Sequence, residues 1–572
     1  MSTLVNIKIN GFATQADSSM TILAAAKKEG FFIPTLCNHP DQKVKANCRI
    51  CSVEVEGSRN LITACSTKVQ EGMAIRTNSP RVRETIQTIL ELIFADHPQE
   101  CLTCIRSGNC ELRQLATRYG LSDIRGEKIS KLMPLDFSTA SLVRNPNKCI
   151  KCGRCAEVCH HVQEVGILYM HNRSSEACIT PEYGKKLSEV DCVLCGQCVL
   201  VCPVGAIYEK DDTDKVWAAI HNPKKHVVVQ VAPSVRVSIA EEFGMPPGEI
   251  SIGKLVNALR KLGADKVFDT DFSADLTIIE EGHELLHRLQ NGGVLPMITS
   301  CSPGWINFIE KFYPELLPHV SSCKSPQQMF GALAKTYYAQ ISGIPAEDIT
   351  VVSIMPCTAK KHEAARPEMN SSGYRDVDIV LTTRELGRML KNDGIDFNFL
   401  PEDQFDSPLG ESTGAAVIFG ATGGVMEAAL RTVYEVVTGE TLAKLEFDDI
   451  RGMEGVKSAA VNLAGTEVKV AVAHGLAHAR KILELIKSGK ADYTFIEVMC
   501  CPGGCIGGGG QPYSTNNDIR RKRIESLYSI DGNLALRKSH ENPDVKRLYS
   551  DFLLAPLGKK SHHLLHTTYG NQ

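Results

Sequence analysis

A chain of 572 residues is several times the roughly 100–200 residues of one domain, so a multidomain protein is expected. With 63 basic against 66 acidic residues the formal charge is −3, which gives no electrostatic reason to seek nucleic acid or an anionic membrane as partner. The N-terminus MSTLVNIKINGF lacks a signal-peptide core, and no run approaches the ~18 apolar residues of a spanning helix; a cytoplasmic location is expected. The 22 cysteines, 16 of them before residue 203, dominate what remains. They fall into short motifs, and cytosolic disulfides are rare, so metal ligation is the leading use.

Residues 1–80 combine short β-type runs (LVNIKIN, CSVEVEG) with a helical stretch, TILAAAKKEG. Cys37, Cys48, Cys51 and Cys65 read C-x10-C-x2-C-x13-C, which resembles a plant-type 2Fe-2S ferredoxin with a lengthened first gap. Zinc or free thiols are the alternatives. In 81–125 an amphipathic run, ETIQTILELIFA, precedes His97, Cys101, Cys104 and Cys110. One imidazole and three thiolates can hold zinc or a 4Fe-4S cube; the flanking Fe-S motifs favour the cube, with a raised potential because imidazole donates less charge. In 140–212 the run Cys149, Cys152, Cys155, Cys159 is repeated as Cys192, Cys195, Cys198, Cys202 followed by Pro203. This is the duplicated bacterial ferredoxin pattern, whose fourth cysteine serves the other cluster. One set is therefore Cys149, Cys152, Cys155 and Cys202, and the other Cys192, Cys195, Cys198 and Cys159. Cys178, between the repeats, reads as a spare thiol. A row of such centres transports electrons, so something at its end must supply or consume them.

From about residue 225 to 514, β-branched runs alternate with helical ones: VVVQVA, VLPMITS, TVVSIMP, DIVLTT, VKVAVAHG and TFIEVM. That alternation predicts α/β structure with mainly parallel sheets, whose ligands sit beyond the carboxyl ends of strands. Chemistry-bearing residues arrive there: Pro233-Ser234, Cys301, Cys357, and Cys500-Cys501 followed by Cys505. Gly507 to Gly510 would let backbone approach a bulky cofactor, and GATGG at 420–424 is too weak to indicate a nucleotide. Residues 515–572 read as helices ending in a polar tail with His562, His563 and His566; Cys323 has no evident role.

ITSCSPGW, IMPCTAKKHE and EVMCCPGGCIGGGGQP resemble the three signature loops of the iron-only, FeFe-type hydrogenases, and the Fe-S front end matches the clostridial multi-cluster form. The resemblance implies ferredoxin-like Fe-S modules (one 2Fe-2S, three 4Fe-4S) ahead of a two-lobed α/β domain. That domain would hold the H-cluster, a 4Fe-4S cube joined to a two-iron unit carrying CO, CN and a bridging dithiolate. The activity implied is H2 ⇌ 2H⁺ + 2e⁻. Position by position, it implies Cys357, Cys501 and Cys505 as cube ligands, with Cys505 bridging to the two-iron unit. Pro233, Ser234, Gln327 and Lys360 would grip the diatomic ligands, Met355 and Met499 would pack around them, and Glu281, Glu284 and Ser321 would carry protons. The family has two adjacent cysteines where this chain has Cys301-Ser302. Either Ser302 fills the fourth cube position and Cys301 relays protons, or Cys301 takes the ligand role; cubes prefer soft thiolates, which favours Cys301, and Cys500, beside the third ligand, is a spare thiol able to compensate.

A rival reading is a pure electron relay like the large Fe-S subunit of respiratory Complex I, but a relay has no need of the three loops. An H2-sensing or Fe-S assembly relative is the other; Ser234 and Lys360 and the lack of a signalling module argue against it. Expected partners are H2 and protons, maturases that supply the two-iron unit, and either ferredoxin or flavin- and NAD(P)-binding subunits. The proton couple at pH 7 lies near about −410 mV, from ~59 mV per pH unit, and plant-type clusters lie near about −400 mV, so electrons can pass either way.

Overall fold

The computed structural model describes residues 3–124, 132–463, 466–513 and 515–570. The expected segment limits at positions 1, 125, 514 and 572 fall outside these residues. The N-terminal sheet has the order β2-β1-β5-β3-β4, from β1 (Leu4–Ile9), β2 (Phe12–Asp17), β3 (Ser52–Val55), β4 (Ile62–Thr63) and β5 (Ala74–Arg76). Strict alternation in β1 turns Val5, Ile7 and Ile9 inward, where they meet the helix Ile22–Lys28 and the cysteines Cys51 and Cys65. The helix Pro80–Asp96 starts on a Ser79 cap with proline in its first turn. Val82, Ile86, Leu90 and Phe94 recur every four residues and bury one stripe against Leu142, Leu194, Val199 and Ile207 of the next module.

In that module β6 (Leu142–Arg144) pairs antiparallel with β9 (Ile207–Glu209), and a hairpin of β7 (Tyr169–His171) and β8 (Cys178–Thr180) lies between the two cysteine runs. The duplication is visible in the backbone: Lys151 and Gly153 of the first run, and Leu194 and Gly196 of the second, all take positive φ. Such turns aim consecutive amides inward, a cradle for an anionic cluster.

The remaining chain builds two four-stranded sheets. β10 (His226–Val231), β11 (Lys266–Asp269), β13 (Ile349–Met355) and β14 (Ile379–Thr382) form the all-parallel order β11-β10-β13-β14. β12 (Met297–Ile298), β15 (Val456–Leu463), β16 (Thr466–His474) and β17 (Phe495–Met499) form β12-β17-β16-β15, parallel except for the β15–β16 pair. The mainly parallel α/β expectation holds. The sequence pattern misses β11, which is only four residues long, and β15, whose interleaved Lys, Ser and Asn hide it. VLPMITS contributes just the two-residue β12. The helix Thr270–Asn291 is buried on nearly every side: Phe272, Leu276 and Ile279 join the core of the first sheet, and Ala274, Ile278 and Leu285 that of the second. It is the shared wall of the two lobes.

The C-terminal segment begins with the helix Asn517–Asn533, as its pattern suggests, and ends against Ser322 and Lys324, where Lys324 N donates to Leu565 O (2.8 Å) and Thr567 N to Ser322 O (2.8 Å). Buried ion pairs clamp the modules together. Arg384 and Arg388 both donate to Glu209 at the end of β9, at 2.7 and 2.8 Å, and Arg520 donates to Asp41 of the N-terminal module at 2.8 Å. Burial alone would raise the Glu209 carboxyl; the two guanidiniums overcome it and hold it below the usual carboxylate range. Removing one partner strands the other charges in a dry joint at a cost of about 3–5 kcal/mol. Glu209→Gln is therefore expected to lower the melting transition containing this joint by roughly 6 °C or more, measured by calorimetry of the anaerobic protein.

Candidate metal centre

The thiols meet in the groups that their spacing suggests. One apolar cavity is lined by Cys149, Cys152, Cys155 and Cys202 together with Ile150, Ile179 and Val204. A second is lined by Cys159, Cys192, Cys195 and Cys198 with Val165 and Ile167. The fourth cysteine of each run thus crosses to the other set. In the N-terminal module the thiol of Cys37 adjoins that of Cys48, and Cys51 that of Cys65, close enough for the Cys37 charge to act on both members of the second pair. The loop carrying Cys101, Cys104 and Cys110 follows His97 and lies on the ferredoxin module: a Cβ on Gly205 would stand 3.0 Å from Cys104 Sγ, and Arg106 donates to Cys202 O at 2.9 Å. Cys178 is buried in β8 and belongs to neither cavity.

Four parallel strands from the two sheets bring the remaining candidates to one place. Lys360 Nζ donates to Cys301 O (3.3 Å), tying the end of β13 to that of β12. Cys500 N donates to Ser302 Oγ (3.2 Å), tying β17 to β12. Gly510 N donates to Pro356 O (2.7 Å), and Gln511 Nε2 to Ser234 O (3.3 Å), tying the loop after β17 to β13 and β10. Cys357, Cys501 and Cys505 stand near enough to act on one another's charge. Burial, then the neighbouring Cys501 and Cys505, pushes the Cys357 thiol far up; burial and Cys501 push Cys505 up to about 12. Such thiols ionise only for a cation that replaces the lost water.

The polar lining fits an anionic cofactor. Ser234 Oγ is buried with no protein partner among the described residues, a donor left for a bound anion; Gln327 Oε1 is also unpartnered there but can only accept. Lys360 and Gln327 are both held by Glu363, at 2.9 and 3.1 Å, so one carboxylate orients two of the expected grips. Glu363 lies three residues after Lys360 on the helix Ala359–Ala365, a spacing that the sequence displays. Pro233, Met355 and Met499 are buried beside them.

The glycine run works differently from the expectation. A Cβ on Gly508 would strike Pro356 O, and one on Gly509 would strike Cys195 O and the Gly196 Cα. The close approach is backbone on backbone, between the Cys505 loop, the Cys357 loop and the second ferredoxin run. Gln197 Nε2 donating to Gly507 O (2.8 Å) and Thr358 Oγ1 to Leu194 O (2.8 Å) complete the seam. GATGG has a similar use: Thr422 N donates to Gly503 O (3.0 Å), while the buried Glu497 carboxylate accepts from Gly423 N (2.7 Å) and Met426 N (2.8 Å), clasping that loop against Cys501–Cys505.

On the other side of Cys301 runs a buried acidic row. Glu281 and Glu284 are 1% and 8% exposed, which rules out a solvated acidic face. Burial, then the Glu284 charge, pushes Glu281 up to about 8. Neither of its oxygens has a partner within hydrogen-bonding geometry among the described residues, although the Ser321 hydroxyl and the Ser300 amide stand nearby. Ser321 Oγ donates to Glu284 Oε2 (3.0 Å), and Glu284 continues to Arg288 (2.6 Å) and to the Ser322 hydroxyl (3.1 Å). His566 is not an exposed tail residue: it is 5% exposed, with Nδ1 2.8 Å from Ser322 Oγ and Nε2 3.1 Å from Glu280 Oε2. Cys323 is buried in the same group. Arg288, at i+4 from Glu284, was legible as a helix pair; His566, brought from 282 residues away, left no sequence signal.

The family description "iron only hydrogenase large subunit, C-terminal domain" matches residues 225–509, and "iron hydrogenase small subunit" matches 517–572. Ahead of them, a 2Fe-2S iron-sulfur cluster binding domain matches 2–80, an NADH-ubiquinone oxidoreductase-G iron-sulfur binding region 87–125, and a 4Fe-4S dicluster domain 148–206. The NADP-reducing hydrogenase subunit HndD of Solidesulfovibrio fructosivorans is 50% identical over 580 residues, covering 99% of each chain. The chain belongs to the iron-only (FeFe) hydrogenases. Iron hydrogenase 1 of Clostridium pasteurianum is 41% identical over 98% of this chain and 99% of its own. An apo FeFe-hydrogenase HydA1 variant from Chlamydomonas reinhardtii aligns at a TM-score of 0.58 with 46% identity, over 64% of this chain and all of that one. This hydrogenase is accordingly an oxidoreductase acting on H2, with 2Fe-2S and 4Fe-4S modules and an H-cluster fold. No helix among the described residues is long and apolar enough to cross a membrane.

Adding one methyl at the seam is expected to open it. Gly509→Ala should cost about 1–3 kcal/mol of overpacking and slow electron exchange between the ferredoxin module and the H2 site. The check is dye-linked H2 oxidation against H2/D2 exchange, which needs no relay: the first should fall and the second hold.

Proposed function

We propose that this chain is the H2-converting catalytic subunit of a larger enzyme, passing electrons through its Fe-S modules to a flavin- and NAD(P)-binding partner. The 50% identity to an NADP-reducing hydrogenase subunit across the full length supports the partner class; ferredoxin acting on the chain alone is the alternative. The observation that carries the reading is the convergence of Cys357, Cys501 and Cys505 from separate strand ends, against the Cys195–Gly196 loop.

In this reading Cys357, Cys501 and Cys505 hold a 4Fe-4S cube, Cys505 reaches the two-iron unit, and maturases deliver that unit. The H-cluster, when bound, supplies the chemistry that splits H2 or reduces protons. Ser234 and Lys360 offer donors to anionic ligands, with Pro233 and Gln327 beside them, and Met355 and Met499 exclude water. Burial, then the neighbouring Glu281, pushes the Cys301 thiol well up, so it holds its proton at neutral pH and stands beside the carboxyl that would receive it. Glu281 takes the next place, with Ser321 and Glu284 leading outward to Arg288. The set of Cys192, Cys195, Cys198 and Cys159 would hold the 4Fe-4S cluster on the Cys195 side of the site, and that of Cys149, Cys152, Cys155 and Cys202 the next. His97, Cys101, Cys104 and Cys110 would hold a further cube and Cys37, Cys48, Cys51 and Cys65 a 2Fe-2S cluster, and together these groups would supply one-electron transfer. The five segments 1–80, 81–125, 140–212, 225–514 and 515–572 are the corresponding units.

An infrared spectrum of protein matured anaerobically with the maturases is expected to show CO and CN bands together with H2 uptake; protein without those bands after maturation removes the reading. Glu281→Gln should cut turnover at least about a hundredfold while leaving the bands in place; turnover like wild type would take Glu281 off the proton path. Affinity purification of the chain from its host should bring down a flavoprotein that binds NAD(P); purification alone with full ferredoxin-linked activity would favour the alternative.

A further inference from the structure

The cube proposed for this site has three thiolates, Cys357, Cys501 and Cys505, and a 4Fe-4S cube takes four. Two further thiols adjoin it, and the fold sends them to different sides. Cys301 lies in the apolar cluster of the second lobe with Met297, Met499 and Cys505, and the groups that act on its sulfur are Glu281, Cys505, Lys360 and Glu497. It stands between the Glu281 carboxyl on one side and Cys505 and Lys360 on the other. Ser302 offers only a hard oxygen, and that oxygen already accepts the Cys500 amide at 3.2 Å.

Cys500 faces the other way. It is 3% exposed and packs in one cluster with Cys501 and Cys195. Gln163 Nε2 donates to its sulfur at 3.8 Å. A Cβ on Gly304 would come within 2.7 Å of Cys500 Sγ, so the first turn of the helix Pro303–Phe312 is kept bare where this sulfur sits. Resting on the cube assigned above, we propose that Cys500 supplies the fourth thiolate and that Ser302 positions it through its amide, which leaves Cys301 free to move protons. This sets aside the expectation from donor softness that Cys301 itself completes the cube. It also puts a cube ligand in contact with Cys195, a ligand of the nearest ferredoxin cluster, at the point where electrons cross.

The test counts iron in protein made without maturases, which needs no activity. Cys500→Ala is expected to bind about four irons per chain fewer than wild type, Cys301→Ala the same number as wild type, and S302C/C500A to regain them, since a thiol at 302 would sit beside the vacated position. Regain in the double variant separates ligation from a folding defect, because a merely structural Cys500 would not be rescued by sulfur at another position. Cys500→Ala with full iron, or Cys301→Ala short by about four, overturns the proposal. If wild type holds no more iron than the triple variant C357A/C501A/C505A, the cube reading itself fails, whatever Cys500 does.

Discussion

The structure depends on backbone touching backbone where three cysteine-bearing loops meet. Gly508 and Gly509 lie against Pro356 and against Cys195–Gly196, with no room for a single Cβ between them. Electron transfer into a buried site needs short gaps, and side chains are what lengthen them. Glycine is tolerated here despite its entropic cost because nothing larger fits. The same seam is a set of buried hydrogen bonds, Gln197 to Gly507 and Thr358 to Leu194, so every close-packed polar group in it is matched.

Around that seam the thiols and the acidic row lie apart. Cys195, Cys500 and Cys501 lie on one side of the strand ends, in surroundings apolar but for Gln163. Cys301, Glu281, Ser321 and Glu284 lie on the other, along the helix shared by both lobes. Burying two glutamates on that helix costs stability, and the fold offsets it by giving Glu284 an arginine and three donors from Ser321 and Ser322 while leaving Glu281 without a partner. The unmatched carboxyl is the one that acts on the Cys301 thiol.

Glu363 and Glu497 show how the outer structure fixes the inner. Neither faces the thiols as a donor. One orients Lys360 and Gln327, and the other pins the 420–424 loop behind Cys501–Cys505. Both are buried carboxylates whose hydrogen bonds hold the strand-end loops in place around Cys357, Cys501 and Cys505.

Local spacing was enough to read much of this. The two C-x2-C-x2-C-x3-C runs, the strand-end cysteines and the i, i+3 pair of glutamates are short-range patterns, and they determined the order of the modules, which thiols share each cavity of the ferredoxin pair and the α/β class of the catalytic part. What spacing cannot carry is which groups from distant segments meet. His566 reaches Glu280 and Ser322 only because the tail folds back across the helix Thr270–Asn291. The glycines touch Cys195, more than 300 residues away, and Cys301 and Cys500 part to opposite sides only once two sheets are set end to end. Sequence period decides what each strand and helix buries; the packing of one sheet against another decides whose side chains share a cavity, because that choice is made by complementary surfaces and not by neighbours along the chain.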